Sequence, residues 1–324
     1  MILNDINKIR KILTASKSLS FDKLEPFIED TENDLKLVIG LAFYDELDSY
    51  TGSDAIILEA INLLQKSIAY TAYFKGFDML NVVFSNQGVH RIETEDGGKK
   101  ALFQRQEENL KRNFKVTGYN KLDTALAYLE KNKASFPTWT ASDEYTLAKR
   151  NFINSTSDFN DIYNINNSRL VFLKLRRYQN LAEDFIALPL IGRAFFDELK
   201  TQIKDDTVSS WNMSFLIFLK SAIAHGTIAH GGFNLVYELV DFGIIKIEDQ
   251  QNAPNFKTQT KINEDDFKTL INRAKETADS YIKICAAYLN ENINEFPTYR
   301  DSSAYDADAN LYSRTNGTDN IVII

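Results

Sequence analysis

The chain has 324 residues, its 37 basic and 45 acidic side chains give a formal net charge of −8, and 44% of its residues are hydrophobic. This apolar content suffices for a buried core and excludes an intrinsically disordered chain, and the net negative charge argues against general nucleic-acid binding, which needs a basic surface. A single cysteine excludes an internal disulfide and a cysteine metal cluster, while 13 glycines and five prolines are few for a turn-rich all-β fold.

The first half of the chain predicts a series of helices and one short strand. The long apolar helix begins after Asp54, a suitable cap, and apolar residues surround most of its cylinder, so we expect it to be the central buried element. GVHRIE (88–93) is short and β-branched and predicts one strand, and Gly118 predicts a break in the helical sequence that follows. The predicted helices are Pro26 to Gly40, Ala42 to Tyr50, 55–85, 99–117 and 120–133.

The same order of elements recurs in the second half. IGLAFYDEL (39–47) matches IGRAFFDEL (191–199), GVHRIE matches GIIKIE (243–248), and Phe-Pro-Thr-Trp (136–139) matches Phe-Pro-Thr-Tyr (296–299). The spacing between partners grows from 152 to 155 to 160 residues, which two small insertions explain. Three matches in the same order predict a tandem duplication. The helices predicted for the second copy are Tyr178 to Ala187, Ala194 to Ile203, 210–241 and Asn263 to Asn292.

We therefore predict a mainly α fold, a tandem duplication of a helical module in which each copy has a long central helix and one short β-strand. The predicted organisation is an N-terminal segment (1–19), a first repeat (20–145), a linker (146–171), a second repeat (172–305) and a C-terminal arm (306–324). The asparagine-rich linker and arm are predicted to be extended or mobile. Because a strand's backbone groups need partners, the two strands are expected to pair with each other or with a neighbouring subunit.

Residues with catalytic potential are few and poorly spaced. His225 and His230 are five apart on a predicted helix, so they do not share a face. The segment 226–232 lacks the lysine and hydroxyl residue of a phosphate loop, and its Gly231 is better explained by close approach of two helices. Cys285 lies on an apolar stripe and is expected to be a buried small side chain. We predict no catalytic residue, no metal site and no cofactor.

Candidate interface residues are found instead in the strands, the aromatic motifs and the arm. The aromatic residues that follow each Phe-Pro-Thr either anchor the loop leaving the last helix or contact a partner. The apolar tip of the arm either docks on a partner or folds back on its own domain. The candidates are Val89, Arg91, Ile92, Ile244, Lys246, Ile247, Trp139, Tyr299, Ile321, Val322, Ile323 and Ile324.

Several motifs resemble an uncharacterised family of Bacteroidetes phage and prophage proteins. They are IGxxFYDEL, GVHRIET, YLExNxxxFPxWxxSxxY and FINSTSDFNDIYNINNSR, and the resemblance runs over nearly the whole chain. It implies a virion structural protein without catalytic residues, a head–tail connector that forms a homo-oligomeric ring in the neck at the portal vertex. Its partners would be further copies and portal, tail or neck proteins, with DNA only passing through and no membrane.

Two other functions are compatible with the residues. The first is a soluble bacterial helical binding or interaction module with a pocket between the two repeats. The second is an enzyme in which carboxylates from several helices converge on a metal. Glu46 and Glu198, which occupy matching positions in the two copies, are the only residues that we can offer for such a site.

Overall fold

The computed structural model describes residues 1–15, 17, 19–80, 82–85, 88–91, 104–240, 243–246 and 264–305. The chain forms two compact units. Unit 1 comprises Met1–Ala148 with Asn167–Leu170, and unit 2 comprises Lys149–Asn166 with Val171–Ile324.

Unit 1 is built around one long helix, α4. Its elements are α1 (Ile6–Leu13), α2 (Phe21–Ile39), α3 (Leu41–Asp48), α4 (Ala55–Leu80), β1 (Val82–Ser85), β2 (Gly88–Arg91), α5 (Gln104–Lys131), the 3₁₀ turn Lys133–Ser135, α6 (Pro137–Thr140) and α7 (Asp143–Ala148). Helix α4 packs against α1, α2 and α5, and its Leu64, Ile68 and Ala72 are buried. Asp54 caps it as predicted, accepting a 2.7 Å hydrogen bond from the Ile56 N–H.

Two predictions for the helices of unit 1 were wrong. Helix α2 begins at Phe21, so Pro26 lies inside it rather than in its first turn. Helix α5 continues through Gly118. The reason is packing: Thr71 of α4 occupies the space that a side chain at Gly118 would need, and the Gly118 carbonyl accepts a 2.9 Å hydrogen bond from Ser67 Oγ. The glycine permits close approach of two helices without ending either of them.

Unit 2 follows a similar order of elements, without a counterpart of α7 among the described residues, and the first two residues of its helix α9 belong to unit 1. Its elements are α8 (Thr156–Ile162), α9 (Arg169–Ala182), the π-helical turn Glu183–Ala187, α10 (Leu188–Lys204), α11 (Ser210–Val236), β3 (Tyr237–Val240), β4 (Gly243–Lys246), α12 (Glu264–Glu291), the 3₁₀ turn Ile293–Glu295 and α13 (Pro297–Arg300). Helix α11 is capped by Ser209, whose Oγ accepts from the Asn212 N–H at 3.1 Å. Asn263, at which the last long helix was predicted to begin, lies outside the described residues.

The π-helical turn explains a one-residue difference between the copies. A π turn holds one residue more than the α-helical turn that it replaces. Before this turn, Tyr178 packs against Gly231 as Phe27 packs against Gly76, so Tyr178 is the counterpart of Phe27. The number of residues between these two counterparts is one smaller than the number between Ile39 and Ile191, which lie after the turn. A side chain at Gly231 would come within 2.7 Å of the Tyr178 ring, so the predicted close approach of two helices is confirmed.

The segment predicted as an extended linker is part of the fold of unit 2. Phe152, Ile153 and Phe159 are fully buried there, and Ser155 caps α8 by accepting from the Asp158 N–H at 3.1 Å. The same arrangement opens unit 1, where α1 follows a buried apolar segment and is capped by Asp5. The prediction failed because the polar asparagines and serines outnumber the few apolar residues that the core takes up.

Each unit carries a β-hairpin rather than one strand. Strand β1 pairs antiparallel with β2, from Val82 opposite Arg91 to Ser85 opposite Gly88. Strand β3 pairs with β4, from Tyr237 opposite Lys246 to Val240 opposite Gly243. The prediction of a single strand in each copy was therefore wrong, as was pairing between the two copies' strands. The central helices end at Leu80 and Val236, before the predicted ends, and the residues after them form the missing strands.

Two glycines turn the chain at equivalent points in the units. Gly40 (φ 87°) separates α2 from α3, and Gly192 (φ 73°) bends α10. The helix after Gly40 buries the aromatic pair Phe43 and Tyr44, and the part of α10 after Gly192 buries the matching aromatic pair of unit 2. Positive φ with extended ψ is a region that only glycine adopts readily. The predicted end of the first helix at Gly40 is confirmed, whereas the helix predicted to end at Ala187 continues into α10 and bends at Gly192.

We expect Gly40→Ala to lower the free energy of unfolding by about 2–3 kcal/mol, because the new Cβ adds steric strain to an unfavourable backbone conformation. That atom would lie 2.9 Å from Glu144 Oε2 and 3.2 Å from Ser142 Cβ. Urea unfolding followed by circular dichroism measures the change. The neighbouring Leu41→Ala, at an exposed helical position, is the control and should change stability by less than about 0.5 kcal/mol. Equal effects from the two variants would contradict a backbone origin.

Candidate functional site

The hairpins present open backbone edges. Within the part of the chain that the structure describes, each strand pairs only with its hairpin partner, so its other edge has no ladder. An open edge is a template onto which a further strand can be added. Both hairpins follow directly on the long central helix of their unit, so a rigid element holds each edge.

The sequence candidates on these strands fall on the open edge. Two residues separate Ser85 from Gly88, and in such a hairpin the flanking residues form a hydrogen-bonded pair. Hydrogen-bonded and non-hydrogen-bonded pairs then alternate. Val89 and Arg91 are therefore in non-hydrogen-bonded pairs, and their N–H groups point away from β1. By the same alternation, the N–H groups of Ile244 and Lys246 point away from β3. The remaining strand and arm candidates, Ile92, Ile247 and Ile321 to Ile324, lie outside the described residues.

Trp139 and Tyr299 are core residues and are not available to a partner. Trp139 is 4% exposed, and its ring lies 4.8 Å from that of Tyr145. Tyr299 is fully buried, with its ring 5.7 Å from that of Tyr305. Their assignment as interface residues was wrong, and the alternative, that they anchor the loop after the last long helix, is what the packing shows. Each sits in a short helix begun by the proline of its motif, which turns the aromatic ring inward.

A buried carboxylate ties the first segment of unit 1 to its core. Glu32 of α2 is 2% exposed. Its Oε1 accepts from the Leu3 N–H at 3.0 Å, and its Oε2 accepts from the Tyr44 hydroxyl at 2.6 Å. Burial, with the adjacent Glu32, raises the pKa of Tyr44 well above its usual value, so this phenol stays a donor. Two charge-assisted hydrogen bonds thus hold a carboxylate that burial alone would destabilise.

Unit 2 has the equivalent carboxylate at Glu183, in the π-helical turn. Its Oε1 accepts from the Phe152 N–H at 2.6 Å, as Glu32 accepts from Leu3. Its Oε2 accepts from Lys200 Nζ at 2.6 Å, and that ammonium also lies 3.9 Å from the centre of the Phe152 ring. Burial lowers the pKa of Lys200, an effect that Glu183 opposes. We did not predict either glutamate from the sequence; the matching acidic positions on two apolar helix faces were the available signal.

The other residues considered for chemistry are separate from one another. Cys285 is buried, as predicted, and burial raises the pKa of its thiol to about 12. Glu46 is exposed, whereas Glu198 Oε1 accepts from Gln202 Nε2 at 2.8 Å. In the described ranges, no three histidine, cysteine or acidic side chains are grouped so that they could hold a metal ion.

The two histidines of α11 are half-buried and lie against aromatic rings. The His225 ring stacks on Tyr281 at 6.1 Å and meets Tyr163 edge-on at 5.5 Å. The His230 ring lies 6.0 Å from that of Phe185. Burial lowers the pKa of both imidazoles, and Lys275 lowers that of His230 further.

Acid is therefore expected to destabilise unit 2 through these histidines. Below pH about 6.5 the unfolded chain protonates them while the folded chain does not. Their contribution to stability is thus present above pH 6.5 and is lost as the pH falls through the folded pKa values. Urea unfolding at about pH 7.5, 6.5 and 5.0 should show a larger loss in the wild type than in His225→Gln/His230→Gln. Parallel losses in both proteins would contradict this.

Comparison with known proteins identifies the family. Among the described residues, no helix combines the length and apolar character needed to cross a membrane. Neither the curated proteins nor the solved structures gave a match. A family model matches the chain twice, at residues 17–149 and 187–309, and the two matches together cover well over half of the chain, almost all of each within one unit. The chain belongs to the Family of unknown function (DUF6712), whose model it matches once in each half.

Proposed function

We propose that this protein is a non-enzymatic structural component of a tailed phage or prophage, a head–tail connector that forms a homo-oligomeric ring in the neck of the virion. The observation that carries the proposal is the hairpin with an open edge at the end of the central helix in each unit. A ring subunit needs a rigid body and an element that joins it to its neighbour. The long helices supply the first, and the hairpins supply the second.

The hairpins would join copies by strand addition. Main-chain hydrogen bonds from one edge to a neighbouring copy's strand give affinity without requiring a matching set of side chains. Two hairpins in one chain allow a head-to-tail contact between unlike surfaces, and such contacts close into rings when the rotation between copies is favourable. The net charge of −8 is compatible with a channel through which DNA passes without being held.

The test is the oligomeric state of the purified protein together with its presence in virions. We expect native mass spectrometry to show a closed ring, and purified virions to contain the protein in a copy number that is a multiple of six or twelve, with the portal and tail proteins as its neighbours. A strictly monomeric protein that never co-purifies with portal or tail proteins would overturn the proposal. It would favour the alternative, a helical binding module, which a small molecule retained through purification would support.

A further inference from the structure

Unit 2 contains a groove that depends on sequence differences between the two units. It lies between the end of α8, α11 and the first half of α12, and its volume is about 450 Å³, within the range of small-molecule sites. Its lining includes Tyr163, His225, Asp266, Leu270, Arg273 and Ala274. All of these residues belong to unit 2.

Unit 1 fills the corresponding space with aromatic rings. Tyr70 is six residues before Gly76, as His225 is six before Gly231, and Phe114 is 14 residues before Tyr128, as Ala274 is before Tyr288. Phe114 lies 6.0 Å from Tyr70 and 4.7 Å from Tyr73 between ring centres. The Tyr70 hydroxyl donates to the Ile12 carbonyl at 3.2 Å and closes the gap between α4 and α1.

Unit 2 replaces each of these groups with a smaller or a more polar one. Ala274 stands where unit 1 has the Phe114 ring, and His225 stands where it has Tyr70. His225 leaves its buried Nδ1 without a hydrogen-bond partner among the described residues. At the position of Asn113, unit 2 has Arg273, an exposed side chain with no ion pair in the described part of the chain.

We propose that this groove binds a small aromatic monocarboxylate. Its ring takes the room that Phe114 fills in unit 1, against Tyr163 and Leu270. Its carboxylate pairs with Arg273, because a guanidinium is well suited to a planar carboxylate. The site goes beyond the proposed ring function and does not depend on it.

Phenylacetate is the probe for this site. Isothermal titration and saturation-transfer NMR should detect binding to the full chain with a dissociation constant on the order of 1 mM, as a ligand of this size allows. Arg273→Gln should weaken binding about tenfold or more by removing a charge-assisted hydrogen bond, and Ala274→Phe should abolish it by restoring the ring of unit 1. The control Arg112→Gln, at an exposed position of α5, should have no effect.

A neutral analogue separates the two contributions to binding. We expect 2-phenylethanol to bind the wild type about tenfold more weakly than phenylacetate does and to be insensitive to Arg273→Gln. The proposal is overturned if phenylacetate at about 10 mM gives no saturation transfer, since that is well above the expected dissociation constant. It is equally overturned if Arg273→Gln and Ala274→Phe both bind as the wild type does. These readouts are the same for a monomer and a ring, so they fail or succeed independently of the assembly.

Discussion

Val89→Pro combined with Ile244→Pro is expected to convert the proposed ring into monomers while each copy keeps its fold. Both residues lie at non-hydrogen-bonded positions, so their N–H groups point to the open edge of the hairpin. Proline removes that donor and places its ring where a neighbouring strand would approach, but it is tolerated on an edge strand. Each lost donor leaves a buried acceptor unsatisfied and should weaken association about 10- to 100-fold.

The measurement is native mass spectrometry at micromolar concentration, with circular dichroism to show unchanged helix content. Val89→Ala with Ile244→Ala is the matched control, because it removes the same side chains and keeps both N–H groups. We expect this control to assemble as the wild type does. Full assembly of the proline variant, or equal dissociation of the alanine variant, would show that the hairpin edges do not join the copies.

Much of the helical architecture could be predicted from the sequence because the signals were local or repeated. The three ordered motif matches indicated a duplication, and a helix that is apolar on most sides indicated the central position of α4 and α11. Asp54 was predictable as a cap because a short polar side chain before an apolar run serves that purpose in most proteins.

The misses come from features that depend on distant partners. Gly118 alone predicts a break, and only Thr71 on another helix explains why α5 continues. The segment around Phe152 appeared polar because its few apolar residues gain importance only when they meet a core. Glu183 is another such case. An acidic residue on an apolar helix face can be recognised as a buried hydrogen-bond acceptor only when its donors, the Phe152 N–H and Lys200, are known.

Lys200→Met is expected to lower the free energy of unfolding of unit 2 by about 3 kcal/mol, since removing one partner of a buried ion pair leaves the other charge uncompensated. Glu183 is 7% exposed in its side chain and Lys200 is 18% exposed. Urea unfolding measures the loss. Lys75→Met in unit 1 is the matched control: Lys75 bridges Asp30 and Asp34, whose side chains are 64% and 62% exposed, so its loss should be below about 1 kcal/mol.

The double variant Glu183→Gln/Lys200→Met tests whether the charge itself causes the loss. Glutamine keeps an oxygen that accepts from the Phe152 N–H but needs no ammonium beside it. We therefore expect the double variant to be about 1–2 kcal/mol more stable than Lys200→Met alone. Such non-additive effects are typical of residues in direct contact. If the losses of stability caused by Glu183→Gln and by Lys200→Met simply add in the double variant, the two side chains contribute to stability independently. In that case Glu183 holds the Phe152 segment as a hydrogen-bond acceptor only, as Glu32 holds Leu3 in unit 1 with a tyrosine in place of the lysine.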